Sequence, residues 1–294
     1  MKRVQSFVSL LAMLAVIMSL NCAAFKSLTG KGGYVLQYRM DEGTRFSIIG
    51  SSTLESVTDQ MGTEVVADIN SKGQSDYTVL SSGEETGLTI ELKYGERSQE
   101  MESPMGSAST DYSALVDKKV KFNLFPTGDV KDLVGFEDLP EITTVEGTTL
   151  NKELYELGAK GSFFRLPEQP VKIGDSWTEN EDRDIPLGGN TLKSENTTTY
   201  TLIEEVEWEG HECVKIEVTG VQKLSGDFEQ NGTPLSLERE TKTEGTIYFA
   251  HKKGMYLSME MHSDAEGIIT VVGAGMEIPQ TMTTKANVIV KFTK

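Results

Sequence analysis

Cysteine and histidine are scarce in this 294-residue sequence, which has two cysteines and three histidines. Two thiols exclude a disulfide-stabilised scaffold, and a chain of this length can bury enough apolar surface to fold without cross-links. His211 and Cys213 share one face of a predicted strand and could both ligate a metal, but two ligands do not make a site. We therefore predict no metal site and interpret Cys213 as a core residue.

Basic residues are also under-represented, because the sequence has 28 Lys and Arg against 45 Asp and Glu, a net charge of −17. Neutralising a nucleic-acid backbone requires clustered Lys and Arg, which the sequence lacks. The same charge argues against electrostatic docking on anionic lipid. We expect no nucleic-acid partner.

Enzyme motifs are missing as well: there is no Gly-x-Ser-x-Gly elbow, no P-loop and no Gly-x-Gly-x-x-Gly. An acidic run from Asp175 to Asp184 alternates in part like a Ca²⁺-binding loop. The alternation is that of Asn180, Asp182 and Asp184, and counted from Asn180 the sixth and twelfth positions are Ile185 and Thr191, where such a loop has Gly and Glu. We interpret the run as a solvated acidic loop. The sequence thus predicts a protein that is not an enzyme and has no cofactor.

Long apolar runs are absent beyond residue 20, so the sequence predicts no membrane-spanning helix in the mature protein. At the N-terminus, Lys2 and Arg3 precede the apolar segment Phe7–Leu20. A short apolar segment behind positive charges is typical of an export signal, which we assign to residues 1–21.

Cys22 follows this signal at the position where bacterial lipoproteins carry their lipid, within a segment that resembles a relaxed lipoprotein box. We predict lipidation at Cys22, with residues 22–33 as a flexible tether. The alternative is ordinary cleavage after Ala24. With the anchor, the membrane becomes a partner, and the expected location is the periplasmic face of the outer membrane or the cell surface.

Alternating apolar and polar residues recur along the chain and predict antiparallel strands with one dry face. Examples are Leu88–Tyr94, Val120–Leu124, Val214–Val218 and Ala286–Phe292. Glycines between such runs indicate hairpin turns. The predicted fold class is mainly β, with antiparallel, curved sheets or a half-barrel.

Helix is predicted once, over Thr149–Leu157, where leucines recur at helical spacing. This helix divides the sequence into an N-terminal β lobe over residues 34–142, a connector over 143–169 and a C-terminal β lobe over 170–294. Similar strand–glycine units recur at offsets near 130 residues, which indicates two similar lobes.

Four segments resemble an uncharacterised family of bacterial exported, lipoprotein-like domains of unknown function. They are Tyr34–Phe46, Val120–Leu133 with Pro126-Thr127-Gly128, Leu166–Thr178, and Gly245–Phe249 followed by Lys253-Gly254. The resemblance implies a secreted β-rich fold and carries over no activity. The sheet pattern is also loosely similar to half-barrel carriers of lipids or lipoproteins in the bacterial envelope, a likeness of fold that does not define function.

A methionine-rich stripe is the sharpest local feature. Met255, Leu257, Met259 and Met261 alternate with polar residues, so they are expected on one face as a pliable core or an apolar lining. The alternative is Cu(I) binding by the thioethers with His262.

Together these patterns predict a non-catalytic envelope lipoprotein with a structural or protein-interaction role. The alternative is a carrier that binds an apolar ligand or lipid in a concave β surface, which would need an apolar cavity of several hundred Å³. A hydrolytic enzyme and a copper-binding protein are the least favoured hypotheses. A cluster of perturbed titratable groups in a cleft would favour the enzyme.

Overall fold

The computed structural model describes residues 33–60, 62–83, 86–187, 190–230 and 232–293. The predicted signal peptide, the lipidation site Cys22 and nearly all of the tether lie outside these residues. Among the residues that are described, no helix is both long and apolar enough to cross a membrane.

Strands account for most of the described chain. They are β1 (Arg45–Gln60), β2 (Thr63–Gly83), β3 (Gly87–Ser103), β4 (Gly106–Ser109), β5 (Lys119–Leu124), β6 (Val130–Val134), β7 (Ile142–Thr143), β8 (Thr149–Leu150), β9 (Ser176–Leu187), β10 (Asn190–Trp208), β11 (His211–Gln230), β12 (Thr233–Ala250), β13 (Met255–Val271) and β14 (Met276–Thr293); the helix α1 (Lys152–Lys160) lies between β8 and β9.

One large antiparallel sheet contains twelve of these strands, in the order β6-β5-β3-β2-β1-β14-β13-β12-β11-β10-β9, with β4 paired to β3. Strands β7 and β8 form a separate two-stranded sheet. The prediction of a mainly β fold with curved antiparallel sheets is confirmed.

The first and last long strands lie side by side in the sheet. β1 pairs with β14 from Arg45 opposite Thr293 to Thr58 opposite Gln280. Strands from both sides of the connector therefore belong to the same sheet, and the division into two similar lobes stays a prediction.

The two faces of the sheet differ in burial, because successive side chains of a strand point to opposite faces. The inner face, as we call it, carries two hydrophobic cores. The first is rich in aromatic rings, among them Tyr38, Phe46, Tyr77, Phe163 and Phe249. The second, toward the other ends of the long strands, is mainly aliphatic and includes Leu54, Leu192, Leu224, Leu237 and Ile269. The opposite face, the outer face, is mostly polar.

The connector covers the aromatic core. Helix α1 begins where the side chain of Asn151 accepts a hydrogen bond from the Leu154 backbone amide at 3.1 Å, a standard N-terminal cap. Its buried face carries Leu154, Tyr155 and Ala159. Phe163 and Phe164, just after the helix, insert into the core, where Phe163 meets the rings of Tyr38 and Tyr77 edge-on and Phe164 stacks on Tyr200.

Residues 34–40 alternate in burial like a strand, with Leu36, Tyr38 and Met40 buried. They do not join the sheet. The backbone amide of Tyr38 donates to the Pro126 carbonyl, and Tyr34 forms an isolated bridge with Val171. This segment is extended because it lies across connecting loops, not because it pairs with a neighbouring strand.

Candidate functional site: an acidic groove on the outer face

A groove of about 730 Å³ crosses the outer face of the sheet. Residues of seven strands, β1, β2 and β10–β14, line it. Because these strands are adjacent in the sheet, the groove runs across the strands and not along any one of them.

A single cross-strand row forms the centre of the groove. The register places Glu195 opposite Lys223, Lys223 opposite Glu240 and Glu240 opposite Glu266. The row continues through Thr281 to Val57. Six strands thus contribute one side chain each to this row, and five inter-strand spacings of about 4.8 Å give it a length of about 24 Å.

Acidic side chains predominate in the groove. Six carboxylates line it, from Asp59, Glu64, Glu195, Glu238, Glu240 and Glu266, and all six residues are exposed. Two pairs of them, Glu240–Glu266 and Asp59–Glu64, lie directly opposite each other on paired strands. Like charges in directly opposed positions destabilise a sheet, so this arrangement is not accounted for by stability.

Apolar side chains interrupt this acidic surface. Ile268 is 41% exposed within the groove, and Val57 and Pro279 also contribute to its lining. An exposed isoleucine beside carboxylates offers contact area for a partner that carries both apolar groups and positive charge.

A second concentration of charge is buried under the connector. Arg165, which follows α1, lies with its Nε 3.6 Å from Glu179 Oε1 on β9 and also pairs with Asp129. Arg183 pairs with Glu181 on the same strand. Asp129, Arg165, Glu181 and Arg183 line a polar cavity of about 260 Å³.

Burial shifts the acidity of the carboxyls in this cluster. Glu179 is only 2% exposed, and burial raises its pKa to about 9, with nearby Arg165 acting in the opposite direction. The pKa of Glu181 is also raised by burial, which Arg183 opposes. Glu179 is therefore mainly a neutral carboxylic acid at neutral pH.

These residues correct the prediction of a solvated acidic loop. Residues 176–187 form the strand β9, whose alternate side chains Glu179 and Glu181 face inward while Asp182 and Asp184 remain exposed. The acidic run is accommodated because Arg165 and Arg183 are placed beside its inward carboxyls.

The geometry of this buried cluster fits a structural role, in which it holds the connector against the sheet. Arg165 links the connector to the β5–β6 turn through Asp129 and to β9 through Glu179. The indole Nε1 of Trp177 donates to the Arg165 carbonyl at 3.1 Å. Because Glu179 does not line the cavity, its perturbed carboxyl is not positioned to meet a ligand there.

The structure separates the four residues of the methionine stripe. Met255 is completely buried in the aromatic core, and Met259 and Met261 are partly buried against it. Leu257 packs instead with Cys213 and Ala250 in a small cluster. A β-bulge opposite Tyr248 and Phe249 changes the alternation at this point.

Cys213 is completely buried, and burial raises the pKa of its thiol to about 11. It is therefore a protonated core residue and a poor metal ligand at neutral pH.

Fold and groove together define the class: a mainly β protein built on one open antiparallel sheet with an acidic groove across its outer face. The sequence pattern of a family of unknown function, DUF6263, matches residues 85–256. The chain belongs to this family, in agreement with the resemblance seen in the sequence.

No curated protein matches the chain. Among solved structures, it is similar to a crystal structure from Bacteroides fragilis NCTC 9343, of a candidate exported protein with a YmcC-like fold. The sequence identity is 6%, the alignment covers 88% of this chain and 99% of that chain, and the TM-score is 0.24. At those values the likeness carries no argument about fold or function.

Proposed function

We propose that the protein is a non-catalytic, exported lipoprotein of the bacterial cell envelope, which binds an extended basic segment of another envelope protein in its acidic groove. The observation that carries the proposal is the cross-strand row Glu195–Lys223–Glu240–Glu266, set in a groove of about 730 Å³.

Charge and shape both select this kind of partner. Six carboxylates line the groove against two cationic side chains, Lys223 and the buried Arg239, and this excess of negative charge favours a positively charged ligand. A row about 24 Å long matches an extended segment of about seven residues at 3.3 Å per residue. Apolar side chains of that segment would cover Ile268 and Val57.

The sequence of residues 1–22 supports a location at the cell envelope. A signal peptide over residues 1–21 would direct export and then be removed, and a lipid on Cys22 would hold the folded domain at the envelope, where its partners would be envelope proteins. A flexible tether over residues 22–33, as the sequence predicts, would leave the sheet free to meet them.

The buried titratable cluster does not favour catalysis. Each arginine in it is paired with a carboxylate, and the most perturbed group, Glu179, is enclosed by protein. An acid–base catalyst must reach its substrate. The enclosed position of Glu179 therefore supports a structural role for this cluster more than a catalytic one.

The carrier alternative has less support, since the proposed apolar lining is dispersed. Met255 is enclosed in the core and Leu257 packs in a different cluster. A ligand pocket requires such side chains to converge on an open cavity.

Site-specific photo-cross-linking in the native cell envelope tests this proposal. A photoreactive phenylalanine at Thr281, exposed in the groove, should give a discrete cross-linked protein. The matched control places it at Thr219, exposed on β11 but outside the groove lining. Cross-links of equal yield at both positions, or at neither, would overturn the proposal.

A further inference from the structure

A mixed cluster of metal-ligating side chains lies at the other end of the long strands from the groove. Glu205 near the end of β10, Glu212 at the start of β11 and His251 just after β12 bring their ligand atoms within 4.8 Å of one another. We propose that these three residues form a binding site for a divalent first-row transition metal ion, with Zn²⁺ as its representative.

The donor set points to this class of ion. Two carboxylate oxygens and one imidazole nitrogen are ligands that Zn²⁺ accepts readily, whereas Ca²⁺ and Mg²⁺ prefer sets made only of oxygen. Three protein ligands leave a fourth position for water or an external group.

The spacing is compatible with such an ion. Metal–ligand bonds of about 2.1 Å in a tetrahedral site place the ligand atoms about 3.4 Å apart. Both glutamates are exposed, so small rotations of their side chains can close the remaining gap without moving the backbone.

Tyr34 supports the geometry of two of the three ligands. Its hydroxyl donates to Glu205 Oε2 at 2.9 Å, and its ring meets the His251 ring edge-on, with 5.3 Å between the ring centroids. Hydrogen bonds to ligating carboxylates orient them and raise metal affinity, and the ring contact limits the orientation of the His251 imidazole. The His251 Nδ1 atom is shielded from solvent and has no hydrogen-bond partner among the described residues, and a buried polar atom of this kind calls for an explanation, such as an ion.

Lys252 competes with the ion. Its ammonium group pairs with Glu212, so metal binding must displace it. Removing this positive charge should therefore tighten metal binding, an effect that a purely structural role of the three ligands would not produce.

Calorimetric titration of Zn²⁺ into the detergent-solubilised, chelator-treated mature chain tests the proposal. Excess Mg²⁺ is present to occupy the other carboxylates. We expect one ion per chain, and His251→Ala should weaken binding at least about tenfold. His262→Ala, which removes a half-buried histidine of β13 that pairs with Asp264, is the matched control and should leave the affinity unchanged.

Lys252→Met supplies an independent readout, since it should tighten Zn²⁺ binding severalfold while leaving all three ligands in place. Absence of one-to-one binding in the unaltered protein would overturn the proposal. Equal affinity of the His251→Ala variant, or equal weakening by His262→Ala, would overturn it too. A folded circular dichroism spectrum is required of each variant, and Glu205→Gln serves if His251→Ala does not fold.

Discussion

Glu240 and Glu266 lie directly opposite each other on the paired strands β12 and β13, at the centre of the outer-face groove. Two exposed carboxylates in such positions repel each other and weaken the sheet that carries them. The proposed binding of a basic segment in this groove would explain why the pair is present despite its small cost in stability.

Neutralising one member of this pair should stabilise the protein. Glu266→Gln should raise the free energy of unfolding by about 0.5 kcal/mol at low salt, because it removes a cross-strand repulsion. Urea denaturation measures the change. The gain should shrink in 1 M salt, where the Debye length falls to about 3 Å. A loss of stability at low salt would contradict this explanation of the pair.

Glu179 should make the stability of the protein depend on pH. Its pKa is about 9 in the folded protein and near 4.3 in an unfolded chain. Between those values the folded state holds a proton that the unfolded state has lost, so stability falls as pH rises from about 4.3 to 9.

The Glu179→Gln variant, which keeps a neutral side chain at every pH, isolates this effect. It should match the unaltered protein at or below about pH 4 and become progressively more stable than it toward pH 9, by at most about 1.4 kcal/mol per pH unit. Urea denaturation over this pH range measures the difference. Asp182→Asn, on the exposed face of the same strand, is the control, and a difference independent of pH would refute the neutral state of Glu179.

Gly128 should tolerate no side chain. Its φ is +99°, and an added Cβ would overlap the Phe164 carbonyl oxygen and come within 3.2 Å of the Tyr38 ring. Gly128→Ala should therefore cost more than the 1–3 kcal/mol or so that an unfavourable φ alone costs.

Gly147→Ala is the matched control for this close approach, because Gly147 also has a positive φ, +80°, but open space around its Cβ position. Thermal denaturation of the two variants gives the comparison. Equal losses would show that the packing of the β5–β6 turn against Phe164 contributes nothing.

Alternation in the sequence predicted most of the fold, because a half-buried strand shows its two faces directly in its residues. The alternation correctly predicted strands within β5, β11 and β14. It did not predict that β1 pairs with β14, since a pattern of period two identifies a strand without identifying its neighbour. Residues 34–40 show the converse, alternating in burial without joining the sheet.

The candidate site was less accessible to sequence reasoning. Its six carboxylates come from five strands, and only the register places Glu195, Glu240 and Glu266 in one row. The inward position of Glu179 depended likewise on Arg165, which is 14 residues earlier in the sequence and approaches β9 from the connector.

The proposed lipid anchor at Cys22 predicts the mass of the mature protein. Protein extracted from its own envelope should begin at Cys22 and carry acyl chains, because a thioether-linked lipid stays with the chain. Intact-mass spectrometry measures this directly. A chain that begins at Phe25 without added mass would contradict the anchor while leaving the groove proposal untouched.

The most direct test of the central claim is a titration of the mature protein with a peptide of alternating lysine and valine, long enough to fill the groove. The account predicts saturable binding that weakens at least about tenfold when Glu195, Glu238, Glu240 and Glu266 are all changed to Gln. The control changes Glu42, Glu137, Glu141 and Glu153, which are exposed and outside the groove lining, and therefore has the same net charge. Retained affinity in that control supports the groove as the binding site, whereas equal weakening in both variants would show that only the overall negative charge attracts the peptide.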